Sequence, residues 1–147
     1  MSRILLVLLG LCFIVTASAQ DIQSSQTLAG AVATAISTGK GKSLAVLISP
    51  ETRADTKRLV IHDFMVYNGA EHFTVKHIEP NDKAWQGLPL PELLKKQSEQ
   101  GYAFPSKPLG QIVVSGKISG NKGISKFVAF YGKFGKNYLL MFATRKK

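Results

Sequence analysis

Cysteine is nearly missing from this sequence: 147 residues contain one, Cys12, and it lies inside an apolar stretch near the start. A disulfide framework needs pairs of thiols, and a thiolate metal site or cysteine nucleophile needs a thiol in a polar, accessible setting. The chain beyond residue 19 therefore has none of the three, and no disulfide-linked partner is expected. Long apolar runs are also lacking. The longest, Ile4–Val15, has 12 residues, well short of the roughly 20 that a membrane-spanning helix requires. There is no Asn-x-Ser/Thr sequence, internal repeat or low-complexity tract. Signatures of catalysis are missing too. Neither Gly-x-Ser-x-Gly nor His-Glu-x-x-His occurs, and Gly39-Lys40-Gly41-Lys42 lacks the spacing of a phosphate-binding loop. A hydrolase is accordingly the least supported class, and no cofactor is expected.

The last absence is of one sign of charge. Residues 101–147 contain no Asp or Glu but carry Lys107, Lys117, Lys122, Lys126, Lys133, Lys136, Arg145, Lys146 and Lys147. Residues 20–100 hold nine basic and nine acidic side chains and are neutral. The positive excess outside the first 19 residues thus falls in the final third, where it favours anionic lipid, polysaccharide or another polyanion.

What is present at the start reads as an export signal. Arg3 supplies a positive n-region, Ile4–Val15 the apolar core, and Thr16-Ala17-Ser18-Ala19 the small-residue cleavage pattern. Residues 1–19 are expected to be removed, leaving 20–147 as a single exported domain. Cys12 does not fit a lipidated cysteine, because Leu11 before it is large and apolar sequence follows it. The absence of a glycosylation sequence suits a bacterial periplasmic or extracellular protein.

The pattern of elements predicts an α+β fold with a mainly antiparallel sheet of about six strands and two short helices, in the order α-βββ-α-βββ. Leu28–Ser37 reads as a helix stopped by the Gly-Lys-Gly-Lys segment. Ser43–Ser49 reads as a strand ended by Pro50. Lys57–Tyr67 and Ala70–Ile78 read as a hairpin about Asn68-Gly69, a pair that tolerates the positive φ of a tight turn. A connection with Pro80 and Pro89 leads to a helix over Leu90–Gln100, with Pro91 in its first turn and Gly101 as its stop. After a loop over Tyr102–Gly110, the meander Gln111–Ile118, Ile124–Gly132 and Asn137–Arg145 closes the chain. Its last strand is apolar on both faces, as a central or covered strand would be.

Candidate sites follow from this layout. The Asn68-Gly69 hairpin would place His62 and His77 on one face as diagonal neighbours, with His72 on the other, so His62 and His77 are weak metal candidates that supply half a site. Adjacent strand residues face opposite ways, which would keep Asp63 from orienting His62 for catalysis. The favoured reading is a non-enzymatic module that binds an anionic surface or polymer through Lys117, Lys122, Lys126, Lys133, Lys136 and Arg145. Phe127, Tyr131, Phe134 and Tyr138 would offer stacking. The alternative is a secreted or periplasmic interaction or inhibitor domain that anchors a protein partner through Trp85, Tyr102 and Phe104 in the proline-bearing loops. For export, the chain recovered outside the cytoplasm should have a mass that starts near Gln20; full-length cytoplasmic protein retaining Met1–Ala19 would contradict it.

Overall fold

Ser24 opens the first helix because its hydroxyl accepts from the Thr27 N–H at 3.0 Å and so satisfies a backbone donor that the helix cannot. In the computed structural model residues 22–147 are described; the expected leader, its cleavage site and Cys12 lie outside the described residues. Helix α1 (Ser25–Ser37) buries Leu28, Ala29, Val32, Ala35 and Ile36, a stripe at helical spacing. A short helix α2 (Gly41–Ala45) and helix α3 (Ala54–Met65) follow. Strand β1 (Glu71–Ile78) leads through a long connection to α4 (Leu90–Glu99), whose first turn contains Pro91 as expected. The remainder is β2 (Tyr102–Ala103), β3 (Gly110–Lys117), β4 (Ser125–Phe134), β5 (Asn137–Met141) and β6 (Thr144–Arg145).

The class is the expected one, α+β with antiparallel pairing: a four-stranded sheet in the order β1-β3-β4-β5 and a two-stranded sheet of β2 with β6. The first helix starts at Ser25 rather than Leu28, the expected loop from Tyr102 opens with strand β2, and the expected last strand Asn137–Arg145 is split into β5 and β6. Two expected strands are not strands at all. Ser43–Ser49 is not a regular strand but α2 and a turn, because its buried residues Leu44, Leu47 and Ile48 are spaced three and four apart, as on a helix. Among the described residues its only ladder contact with the sheet is an isolated parallel bridge from Ile48 to Leu140. Lys57–Tyr67 is likewise not a strand but the rest of α3 and the turn that follows it. Val60, Phe64 and Tyr67 are buried at intervals of four and three, while Leu59 is 66% exposed.

Asn68-Gly69 therefore closes the turn that follows a helix instead of turning a hairpin. Gly69 takes φ +77°, a value that a helix stop needs as much as a type I′ turn does, and the local signal is the same for both. The Asn68 side-chain amide donates to the Ile36 carbonyl at 2.7 Å, tying the end of α3 to the end of α1.

The helices cover one face of the sheet, where Ile112, Val114, Ala129, Tyr131 and Leu140 share a core with residues of α1, α2 and α3. Phe127 meets Phe64 edge-on at 4.7 Å between ring centroids. Gly110 is required where it stands: a Cβ there would lie 2.6 Å from the Ile78 carbonyl oxygen and collide with the Tyr131 ring. Burial pushes the Tyr131 phenol above its ordinary pKa, although a hydrogen bond with the Ser25 side chain works the other way. Strand β5 is at the sheet edge and covered there. Its Tyr138 and Leu140 N–H groups donate to the carbonyls of Ile22 at 2.7 Å and Leu47 at 2.8 Å, and its Leu140 carbonyl accepts from Ser49 N–H at 2.7 Å.

The outer face of the sheet is covered over half its length. Gln111, fully buried, accepts from the Gln86 N–H at 3.0 Å and donates to the Gln86 carbonyl at 2.8 Å, which fastens the β1–α4 connection to the sheet. Trp85 and Phe104 then pack on Phe130 at 6.0 and 5.1 Å between centroids. Gln111→Leu leaves both backbone groups of Gln86 without partners and should cost about 2–3 kcal/mol. Denaturant unfolding with amide exchange at Gln86 checks this; unchanged stability would contradict it.

Candidate functional site

Side chains alternate along a strand, so the register decides which residues share the uncovered half of the outer face. Thr74, Ser115 and Lys126 form one row across β1, β3 and β4; Lys76, Val113 and Val128 form the next, at the border of the covered half, where Val113 is buried. Glu71 and Lys117 make a third pair beyond a bulge in β1, where His72 takes φ +54° and lets the strand re-enter register at Thr74. The Thr74 and Ser115 hydroxyls are 2.7 Å apart. Around them stand Lys76, Lys117 and Lys126, all exposed.

Lys117 and Lys126 are diagonal cross-strand neighbours, a relation that places the residues about 7–8 Å apart. The turn that joins β3 to β4 adds a fourth cation, Lys122, also exposed. That turn is shaped by the Asn121 N–H donating to the Ile118 carbonyl at 3.0 Å and by the Asn121 side-chain amide donating to Ser125 Oγ at 3.0 Å. Among the described residues the ion pairs are Arg53–Asp55 and His62–Asp63, and neither uses a lysine. Glu71, the carboxylate on this half of the strand face, stands opposite Lys117 without pairing to it.

The six basic residues singled out from the sequence are not one patch. Lys117, Lys122 and Lys126 gather at one end of the β3–β4 hairpin. Lys133 and Lys136 lie at the other end of β4; Lys133 is seven positions beyond Lys126, about 23 Å along a strand. Lys133 also points to the helix-bearing face, opposite Tyr138. Arg145 sits in β6, away from both groups, beside a cleft of about 150 Å³ whose lining also includes Glu51 and Lys146. Lys76 was missed because the neutral count over residues 20–100 concealed it; only the pairing of β1 with β3 brings it to the site.

The aromatic candidates divide in the same way. Phe127, Tyr131 and Tyr138 pack into the core and Phe134 is half-buried, so the meander offers no open stacking platform. Trp85 is half-buried against Phe130, and its indole N–H donates to the Leu88 carbonyl at 2.8 Å. Phe104 is half-buried against the same ring, while Tyr102 remains 41% exposed.

His62 and His77 are not cross-strand neighbours. The hairpin that would have paired them does not form: His62 is exposed on α3, with Nδ1 3.7 Å from an Asp63 oxygen, and His77 is on β1 opposite Ile112. His77 borders a cleft of about 360 Å³ with Glu79 and Asp82, but no group of three or more metal-ligating side chains is gathered among the described residues. No helix of the described residues is long and apolar enough to cross a membrane. No protein-family model, curated protein or solved structure matches the chain, so function is argued from this site alone. Titration with zinc should give no binding tighter than micromolar; a nanomolar site lost in His77→Ala would contradict this reading.

Proposed function

We propose that the domain is a non-enzymatic binding module for an anionic surface or polymer, and that it acts outside the cytoplasm. Its contact surface is the open half of the outer sheet face together with the β3–β4 turn. The observation that carries this reading is the gathering of Lys76, Lys117 and Lys126 around the Thr74–Ser115 hydroxyl pair, with Lys122 on the adjoining turn and no lysine in an ion pair among the described residues.

Such a surface acts by charge before contact. Exposed ammonium groups with flexible stems attract an anion over about one Debye length, roughly 10 Å at 0.1 M salt, and then exchange partners without a fixed geometry. The two hydroxyls can hydrogen-bond phosphate or sulfate oxygens once the surfaces meet. Selectivity among polyanions would be low and sensitivity to salt high.

The second reading, a protein-interaction or inhibitor domain, has one observation in its favour. Leu88 at 40% and Tyr102 at 41% exposure leave apolar surface on the β1–α4 connection and on β2. Trp85 and Phe104 are largely engaged in holding those segments down, which leaves Tyr102 as the main free anchor.

Binding to a heparin-like polymer should weaken steeply between about 50 and 200 mM salt. Replacing Lys117, Lys122 and Lys126 with glutamine should reduce the log–log salt slope by about two to three. The charge-matched set Lys107, Lys133 and Lys136→Gln should change it little. Equal losses from the two sets would contradict a localised face, and no binding even at low salt would contradict the function.

A further inference from the structure

We infer that the anionic partner is a lipid bilayer surface and that the β3–β4 turn enters its headgroup layer through Ile124, an inference that rests on the anion-binding reading above. Ile124 is 54% exposed in a turn otherwise made of polar residues and glycine, apart from Ile118, which packs against the core. It lies two residues from Lys122 and two from Lys126. The pairing of Gly116 with Ser125 ends one residue short of it, next to Lys117. The turn stands clear of the rest of the molecule: a Cβ built on Gly120 or Gly123 would meet nothing within 4 Å.

The same end of the molecule carries more of this combination. Asn68 reaches the end of α1, with its side-chain nitrogen 3.6 Å from a Cβ placed on Gly39, and Ala70 Cβ is 3.1 Å from one placed on Gly116. These contacts bring the segments bearing Lys40 and Val66 to the end where the turn projects. Lys40 is exposed, and Val66 is 41% exposed.

A soluble polyanion offers charge and hydrogen bonds but no apolar phase, so an exposed isoleucine among lysines gains nothing from it. An anionic bilayer offers both. Its surface potential attracts the lysines, and the boundary between headgroups and acyl chains accepts the apolar side chain. The partner that suits both features is therefore the bilayer.

The experiment compares the purified protein, Ile124→Ser and the triple Lys117, Lys122 and Lys126→Gln on two probes. One is phosphatidylcholine vesicles containing one third phosphatidylglycerol; the other is a soluble heparin-like polymer. Ile124→Ser should lower vesicle affinity about tenfold, the scale of withdrawing one large aliphatic side chain from water, and leave polymer binding unchanged. The lysine triple should lower both. As a second readout, Ile124→Trp should show a blue-shifted emission component with vesicles and none with polymer, over the constant background of Trp85. If Ile124→Ser loses nothing on vesicles, or loses equally on both probes, the bilayer inference is overturned while the anion-binding reading stands. If the unaltered protein binds neither probe at low salt, the anion-binding reading itself falls.

Discussion

The amide of Gln111 reaches 25 residues back along the chain and pairs with both backbone groups of Gln86, and the division of the sheet's outer face depends on that pairing. A fully buried amide is tolerated only when its donor and acceptor both find partners. Here the partners belong to the connection that leaves β1, so the connection must lie flat on β3. Trp85 and Phe104 then both pack against the Phe130 ring. One half of the outer face becomes dry, and the other half is left to water.

The wet half is where the proposed chemistry sits. Hydrated strand positions cost little when filled with threonine, serine and lysine, and Thr74, Ser115, Lys76, Lys117 and Lys126 fill them. Among the described residues these lysines form no ion pair. Their field is therefore available to an outside anion, which is the physical content of the binding proposal. Strand β5, by contrast, has its edge sealed by residues around Ile22 and Leu47, which leaves the molecule's open surface on the outer sheet face rather than along that edge.

Much of the fold was legible where local chemistry is decisive. The stop of α1 before Gly39, Pro91 in the first turn of α4, Gly101 after it and the glycine-bearing turns of the meander each act within a few residues. The region from Ser43 to Gly69 was not legible, for a specific reason. Leu44, Leu47 and Ile48, like Val60, Phe64 and Tyr67, sit in apolar surroundings that also fit a strand, and only packing against α1 and the sheet selects the helix. Asn68-Gly69 meets the same positive-φ requirement at a helix end as in a hairpin. The site was half legible. Lys117, Lys122 and Lys126 could be grouped from the meander, but Lys76 joins them through a pairing across nearly 40 residues of sequence, and the remoteness of Lys133 and Lys136 follows from strand length.

The central claim is that anions meet the uncovered half of the outer sheet face. Backbone amide shifts recorded while a short sulfated oligosaccharide is titrated into isotopically labelled protein test it most directly. The account predicts that shift changes concentrate at Thr74–Lys76 and Ser115–Lys126, with the Gln86 and Trp85 amides still. Changes centred on Lys133–Lys136, on Arg145 or on the connection around Trp85 would contradict it.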